Sequence, residues 1–156
     1  MPTHLTEGQE APLFTAPDQD GNLMSLSDFR GQKTVLYFYP ENDTPACTIQ
    51  ACNLKNNHEL LTSRDYTVIG ISPNDSESHQ KFREKFDLPF LLLPDPRHVL
   101  IDLYGVWGEK NLYGRKYMGL NRTTFLIDKN GIILKIFKKP RNKSHAEEIL
   151  KFAGLD

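Results

Sequence analysis

The chain has 156 residues, close to the commonest size for one folded unit, and a domain of that size buries roughly 68–70% of the surface its unfolded chain exposes. Its 19 Lys and Arg against 20 Asp and Glu leave a formal net charge of −1, so no strong field exists to gather nucleic acid or anionic lipid. The most apolar stretch, Leu88 to Pro94, is far shorter than the ~20 residues of a membrane-spanning helix and reads as a buried strand, so neither a nucleic acid nor a membrane is an expected partner.

Taken in chain order, Met1 to Asp20 carries no run of seven apolar residues, and no secretory signal is expected. Leu13 to Thr15 and Leu23 to Ser25 flank the turn formers Asp18-Gln19-Asp20-Gly21-Asn22, which predicts an N-terminal hairpin. Thr34 to Tyr39 is a β-branched and aromatic run without alternation, the pattern of a strand covered on both faces. Similar runs follow at Thr67 to Ile71, Phe90 to Leu93, Thr123 to Ile127 and Ile132 to Phe137. Helical segments are expected at about Pro45 to Leu61, Ser76 to Phe86 and Arg97 to Tyr104, giving a β-α-β-α-β-α succession with crossover connections. Asp128-Lys129-Asn130-Gly131 predicts an antiparallel turn between the last two strands, and a final amphipathic helix spans about Ser144 to Phe152. No repeat or linker divides the chain, so residues 1–156 read as a single α/β domain, a sandwich with a mixed central sheet flanked by helices.

Only two cysteines are present, too few for the disulfide framework of a secreted domain. A reducing, cytoplasmic compartment is expected, in which a disulfide would be transient and catalytic. The chemistry concentrates between the first long strand and the first long helix, from Tyr39 to Cys52. Thr44 is a good N-cap and Pro45 a favoured first helical residue, which places Cys47 in the opening turn, facing unpaired backbone N–H groups.

A free thiol has a pKa of ~8.5, which must fall by about 2.5, or ~3.4 kcal/mol, for the group to be mostly thiolate at pH 7. A helix end supplies ~0.3–1 kcal/mol and at best ~2, so a second positive charge is needed. A guanidinium about 4 Å away is worth on the order of 4 kcal/mol at an effective dielectric of ~20. Arg122, opening the Thr123 to Ile127 strand, is the candidate, with Arg115 and Arg30 as substitutes. Cys52 lies five residues beyond Cys47, an offset of ~8.6 Å between Cα atoms on an intact helix, against less than about 7 Å in disulfides. The two sulfurs can bond only if the opening turns unwind.

These residues carry a resemblance. Pro40, Thr44 and Cys47 match the Pro-x-x-x-Thr-x-x-Cys motif of peroxiredoxins, and the second cysteine five residues on is similar to the bacterioferritin-comigratory-protein, or Q-type, subgroup. Gly70 to Pro73, Tyr104 to Lys110 and Arg122 to Asp128 match further, so the resemblance runs from about Gly8 to Leu150. It implies a thioredoxin-like fold and a thiol peroxidase acting on hydrogen peroxide and alkyl hydroperoxides. In that scheme Cys47 attacks the peroxide and becomes a sulfenic acid, Thr44 and Arg122 hold the peroxide oxygens, and Pro40 shields the oxidised sulfur. Cys52 then resolves it as an intramolecular disulfide that thioredoxin or a similar dithiol reduces. No metal or organic cofactor is implied, and an internal disulfide needs no second subunit, so a monomer is expected.

Two positions depart from the subgroup pattern: Glu41 stands where Lys is common, and Ala46 where Gly usually precedes the cysteine. Read without the motif, Cys52 is as well explained as an inert core thiol, Pro40 as a strand end, Arg122 as a solvated strand start and Thr44 as a cap whose hydroxyl takes the Cys47 N–H. Gln50 is either a partner of Arg122 or an exposed helical glutamine. The five histidines are scattered and suggest no metal site. A different class of function using the same residues is a redox-sensing binding module, in which oxidation unwinds the helix and exposes a surface.

Overall fold

A computed structural model of the chain describes residues 3–153. The chain first forms a small antiparallel hairpin, β1 (Thr15–Pro17) and β2 (Leu23–Ser25), and then β3 (Lys33–Phe38). Two helices follow, α1 (Pro45–Asn56) and α2 (His58–Ser63). Next come β4 (Tyr66–Ser72), α3 (Ser76–Phe86), β5 (Leu91–Pro94) and α4 (Val99–Leu103). A second hairpin, β6 (Trp107–Leu112) and β7 (Arg115–Leu120), precedes β8 (Thr123–Ile127), β9 (Ile133–Phe137) and α5 (His145–Ala153).

Five strands make one mixed sheet in the order β5-β4-β3-β8-β9. β3, β4 and β5 run parallel, whereas β8 is antiparallel to both β3 and β9. The continuous apolar runs feed two cores, one on each face. Val35, Tyr37 and Tyr39 point toward Ala51 and Leu54 of α1, Leu61 of α2, Phe82 of α3 and Ile149 of α5. Leu36 and Phe38 point the other way, toward Leu100 and Ile101 of α4, Tyr104, Leu120 and Phe125. This is the α/β sandwich with a mixed central sheet that the pattern of strands and helices anticipates, and the thioredoxin-like fold that the resemblance implies.

Three details differ from the sequence reading. The helix expected from Pro45 to Leu61 is interrupted at Asn57, whose side-chain amide donates to the Asn53 carbonyl at 2.9 Å and so ends α1 one residue earlier. A short polar side chain that competes for backbone carbonyls is a poor continuation of a helix. The helix expected from Arg97 is shorter, because His98 takes a left-handed conformation (φ 58°) and starts the helix at Val99. The β6–β7 hairpin was not anticipated. Both of its faces are largely exposed, so it carries no alternation, and its turn is Tyr113-Gly114 with positive φ at both residues, the backbone of a tight two-residue connection.

Gly70, at the centre of β4, sits between Tyr37 of β3 and Leu92 of β5. The Tyr37 ring lies across it: a Cβ at position 70 would come within 2.9 Å of Tyr37 Cζ and 3.0 Å of Leu92 Cδ2. Glycine is what lets a full tyrosine lie flat beneath α1. Gly70→Ala is therefore expected to destabilise the fold by about 1–3 kcal/mol through overpacking, with each kcal/mol lowering Tm by ~2–4 °C in a thermal melt. An unchanged Tm would mean that the ring moves aside freely.

Candidate active site

The sheet register determines what meets the start of α1. Phe38, at the end of β3, stands opposite Thr123, and Tyr37 stands opposite Thr124. The residue just before β8, Arg122, therefore comes alongside the point where β3 gives way to the loop leading into α1. Thr44 is extended (φ −91°, ψ 156°) and Pro45 opens the helix, so Cys47 is its third residue, buried at 2% exposure. Arg122 Nη2 donates to Cys47 Sγ at 3.2 Å, and Nη1 donates to Gln50 Oε1 at 2.6 Å. Gln50 follows Cys47 by three residues and shares its helix face.

Two sources of positive potential face this sulfur. A guanidinium nitrogen at 3.2 Å is worth on the order of 5 kcal/mol to an anion at an effective dielectric of ~20. The first backbone bond of α1 runs from Thr48 N–H to the Thr44 carbonyl at 2.8 Å, so the amides of Ala46 and Cys47 have no acceptor within the helix. Nearby acids do not oppose this: Glu41 is exposed, and Asp43 is paired with Lys85 at 2.8 Å.

The other residues singled out from the sequence are placed as follows. Thr44 is the N-cap by backbone geometry, but its hydroxyl donates to the Glu41 carbonyl at 3.0 Å and accepts no N–H of the helix, which corrects the capping role considered for it. Pro40 is half-buried at the head of the same loop. Arg115 is exposed on β7, and Arg30 pairs with Glu10 at 3.5 Å; neither substitutes for Arg122. Cys52 is half-buried, both cysteines are free, and α1 is unbroken between them. The helix continues to Asn53, whose amide group donates to the Lys143 carbonyl at 2.9 Å and to the Glu147 carboxylate at 3.1 Å, and accepts from Ala146 N–H at 2.7 Å.

Several supporting residues escaped the sequence reading. Tyr37 stacks on Tyr39 (centroids 5.3 Å apart) beneath α1, and burial together with the neighbouring Tyr39 and Cys47 pushes its hydroxyl well above the usual tyrosine range, so it stays neutral. His145 Nε2 meets Thr124 Oγ1 at 2.8 Å behind the first residues of β8, and burial lowers its pKa. Beneath the Pro40–Thr44 loop, Tyr39, Asn42 and His79 form a buried polar group. Burial brings His79 down to about 4 despite Ser72, Asp75 and Leu93, which all act to raise it. The one available signal was Asp75, a strong N-cap that places His79 one turn into α3.

The chain matches the AhpC/TSA family model over residues 7–136. It is 44% identical to peroxiredoxin Bcp of Bacillus subtilis over 144 residues, covering 92% of each chain. It is 42% identical to peroxiredoxin Bcp of Escherichia coli K12, covering 95% of each. Among solved structures it resembles PrxQ of Xylella fastidiosa (TM-score 0.86, 28% identity, 97% of each chain). It also resembles the bacterioferritin comigratory protein of Xanthomonas campestris, solved in a study of alkyl peroxide reduction (TM-score 0.85, 26% identity, 91% of this chain and 90% of that one). A buried thiol in the first turn of a helix, beside an arginine on a thioredoxin-like sheet, is the arrangement of a thiol peroxidase. The chain belongs to the AhpC/TSA family, as a peroxiredoxin of the Bcp, or Q-type, group.

Two outcomes are expected from this geometry. Replacing Arg122 by Met should slow single-turnover oxidation of Cys47 by about 10²–10³-fold, the usual effect of losing a donor to developing charge. Gln50→Leu, which removes only a partner of that arginine, should cost about tenfold. For stability, His79 stays neutral in the fold to about pH 4 but protonates near pH 6.5 when unfolded. Protons thus favour the unfolded chain, and about 3 kcal/mol present above pH 6.5 is lost as the pH falls toward 4. Urea midpoints for wild type and His79→Gln should differ in slope over that window, with the variant less pH-dependent.

Proposed function

We propose that the protein reduces hydrogen peroxide and organic hydroperoxides with Cys47 as the attacking sulfur. The contact between Arg122 and Cys47 carries this reading, because it puts a permanent cation where the sulfur must be an anion to react. The thiolate attacks the terminal peroxide oxygen; the O–O bond breaks, an S–O bond forms, and the departing alkoxide or hydroxide takes a proton to leave as alcohol or water. Thr44 and Arg122 hold the two peroxide oxygens, and Pro40 screens the product from water. Exposed Pro45 and Ala46 leave the entrance open on one side, which suits organic hydroperoxides as well as the small parent. The alkyl peroxide chemistry named for the Xanthomonas campestris relative supports the same substrate range.

Cys52 resolves the sulfenic acid: its thiol attacks Cys47 sulfur, the S–O bond breaks, and water leaves as the disulfide forms. Since the two Cα atoms on an intact α1 stand ~8.6 Å apart, this step requires the opening turns to unwind. A dithiol protein such as thioredoxin then reduces the bridge by exchange. The enzyme acts as a cytoplasmic monomer, since both cysteines belong to one helix and no second chain is needed to complete the cycle.

A coupled assay with peroxide, thioredoxin, its reductase and NADPH tests this. Wild type should consume NADPH catalytically, Cys47→Ser should not exceed background, and Cys52→Ser should take up one oxygen by intact mass without thioredoxin-linked turnover. Wild type that is oxidised once and never cycles would instead be a redox sensor.

A further inference from the structure

The segment from Pro40 to Thr44 carries two of the groups proposed to flank the peroxide, yet most of it is exposed or half-buried. Asn42 is its buried residue, and its neighbour Asp43 turns the chain with a left-handed backbone (φ 59°). What holds Asn42 comes from Tyr39 just after β3, from Asn74 between β4 and α3, and from Ser78 and His79 of α3. Tyr39 Oη donates to Asn42 Oδ1 at 2.5 Å, which sets the orientation of the amide. Asn42 Nδ2 then donates to Ser78 Oγ at 3.1 Å and faces His79 Nδ1 at 3.2 Å. The Asn42 backbone N–H donates to Asn74 Oδ1 at 2.9 Å, an oxygen that also receives the Ser72 hydroxyl at 2.8 Å.

The proton positions follow from donor and acceptor chemistry. An amide nitrogen can only donate, so His79 Nδ1 must accept, and the ring proton sits on Nε2. That nitrogen lies 3.3 Å from Ser72 Oγ, whose own proton is committed to Asn74, so Ser72 accepts from the histidine. Each member has a partner of the right kind, and His79 and Ser72 are fully buried. A fully satisfied polar group of this sort defines one geometry for the segment it holds, because any displacement leaves a buried donor or acceptor unpaired.

We propose that His79 is a positioning residue for peroxide reduction, holding the Pro40–Thr44 segment through Asn42 so that Pro40 and Thr44 stand at the correct height beside Cys47. This rests on the substrate and residue roles proposed above. Its burial keeps the ring neutral across the range in which the accepting Nδ1 is required. Of the titratable groups that face it, Asp75, whose carboxylate is occupied by Ser78 N–H at 2.9 Å, acts on the ring from the N-cap of α3, while Tyr39 faces it from just beyond β3 as a neutral phenol. His79 touches neither sulfur nor peroxide, so its loss should affect the reaction that needs the loop and spare one that does not.

The test compares two rates for Cys47 in a single turnover: oxidation by hydrogen peroxide, which needs the loop, and alkylation by iodoacetamide, which needs only the sulfur. His79→Phe and Asn42→Leu should each slow oxidation by about 10–100-fold, as expected for a misplacement near 1 Å, while alkylation stays within about threefold. The double variant should be no slower than the worse single one, since both cut the same link, and His79→Gln should recover most of the rate by supplying an acceptor at the Nδ1 position. Should His79→Phe fail to fold by circular dichroism, Asn42→Leu and His79→Gln carry the same comparison. Unchanged oxidation in the folded variants, a parallel loss of both rates, or fully multiplying effects would overturn the proposal. Wild type that peroxide does not oxidise would overturn the function on which it rests, whereas oxidised wild type with unaffected variants would overturn the positioning role alone.

Discussion

One antiparallel pairing underlies the whole site. Because β8 runs against β3, the residue that begins β8 lies beside the residue that ends β3, and α1 starts from that same corner. A parallel β8 would have carried Arg122 to the opposite edge of the sheet. The fold thus brings together a helix start and a guanidinium that are 75 residues apart in sequence, with a nitrogen 3.2 Å from the sulfur. The helix end alone is a weak source of positive potential, and an arginine on an unanchored loop would not be held at one distance. The sheet makes the combination reliable.

Beneath this corner the floor is aromatic. Tyr37 and Tyr39 stack, Phe90 meets Tyr37 edge to face, and Gly70 gives the ring of Tyr37 its room. Tyr37 Oη and Gln50 Nε2 are buried without a hydrogen-bond partner, an uncommon pairing of two orphan groups close to one reactive atom. The polar support under the loop joins this floor at Tyr39, whose ring stacks on Tyr37 and whose hydroxyl donates to Asn42.

Much of this was legible in the sequence because the relevant signals are local. The unbroken apolar runs marked strands covered on both faces, Asn130-Gly131 marked the β8–β9 turn, and Thr44-Pro45 marked the start of α1. Arg122 could be named because the charge requirement of a thiolate exceeds what a helix end supplies, which narrows the search to a few cations. What was not legible depends on long-range placement or on choices between near-equal partners. Asn42 and His79 are 37 residues apart, and nothing in either local pattern says that they meet. The Thr44 hydroxyl had two acceptable uses and took the loop carbonyl. The β6–β7 hairpin buries too little of either face to leave a period in its residues.

The anchoring of α1 has a mechanical consequence. The helix is gripped at its opening turns by Arg122, through Cys47 and Gln50, and further along by Asn53, clasped between Lys143, Ala146 and Glu147 at the head of α5, and by Lys55, which donates to the Phe86 carbonyl at 2.9 Å. Under the proposed function the first grip passes through a sulfur whose charge and bonding change, whereas the later grips involve no group that reacts. The proposed chemistry at Cys47 would therefore slacken the near end first, while the clasp at Asn53 would bound how far along the helix the loosening runs.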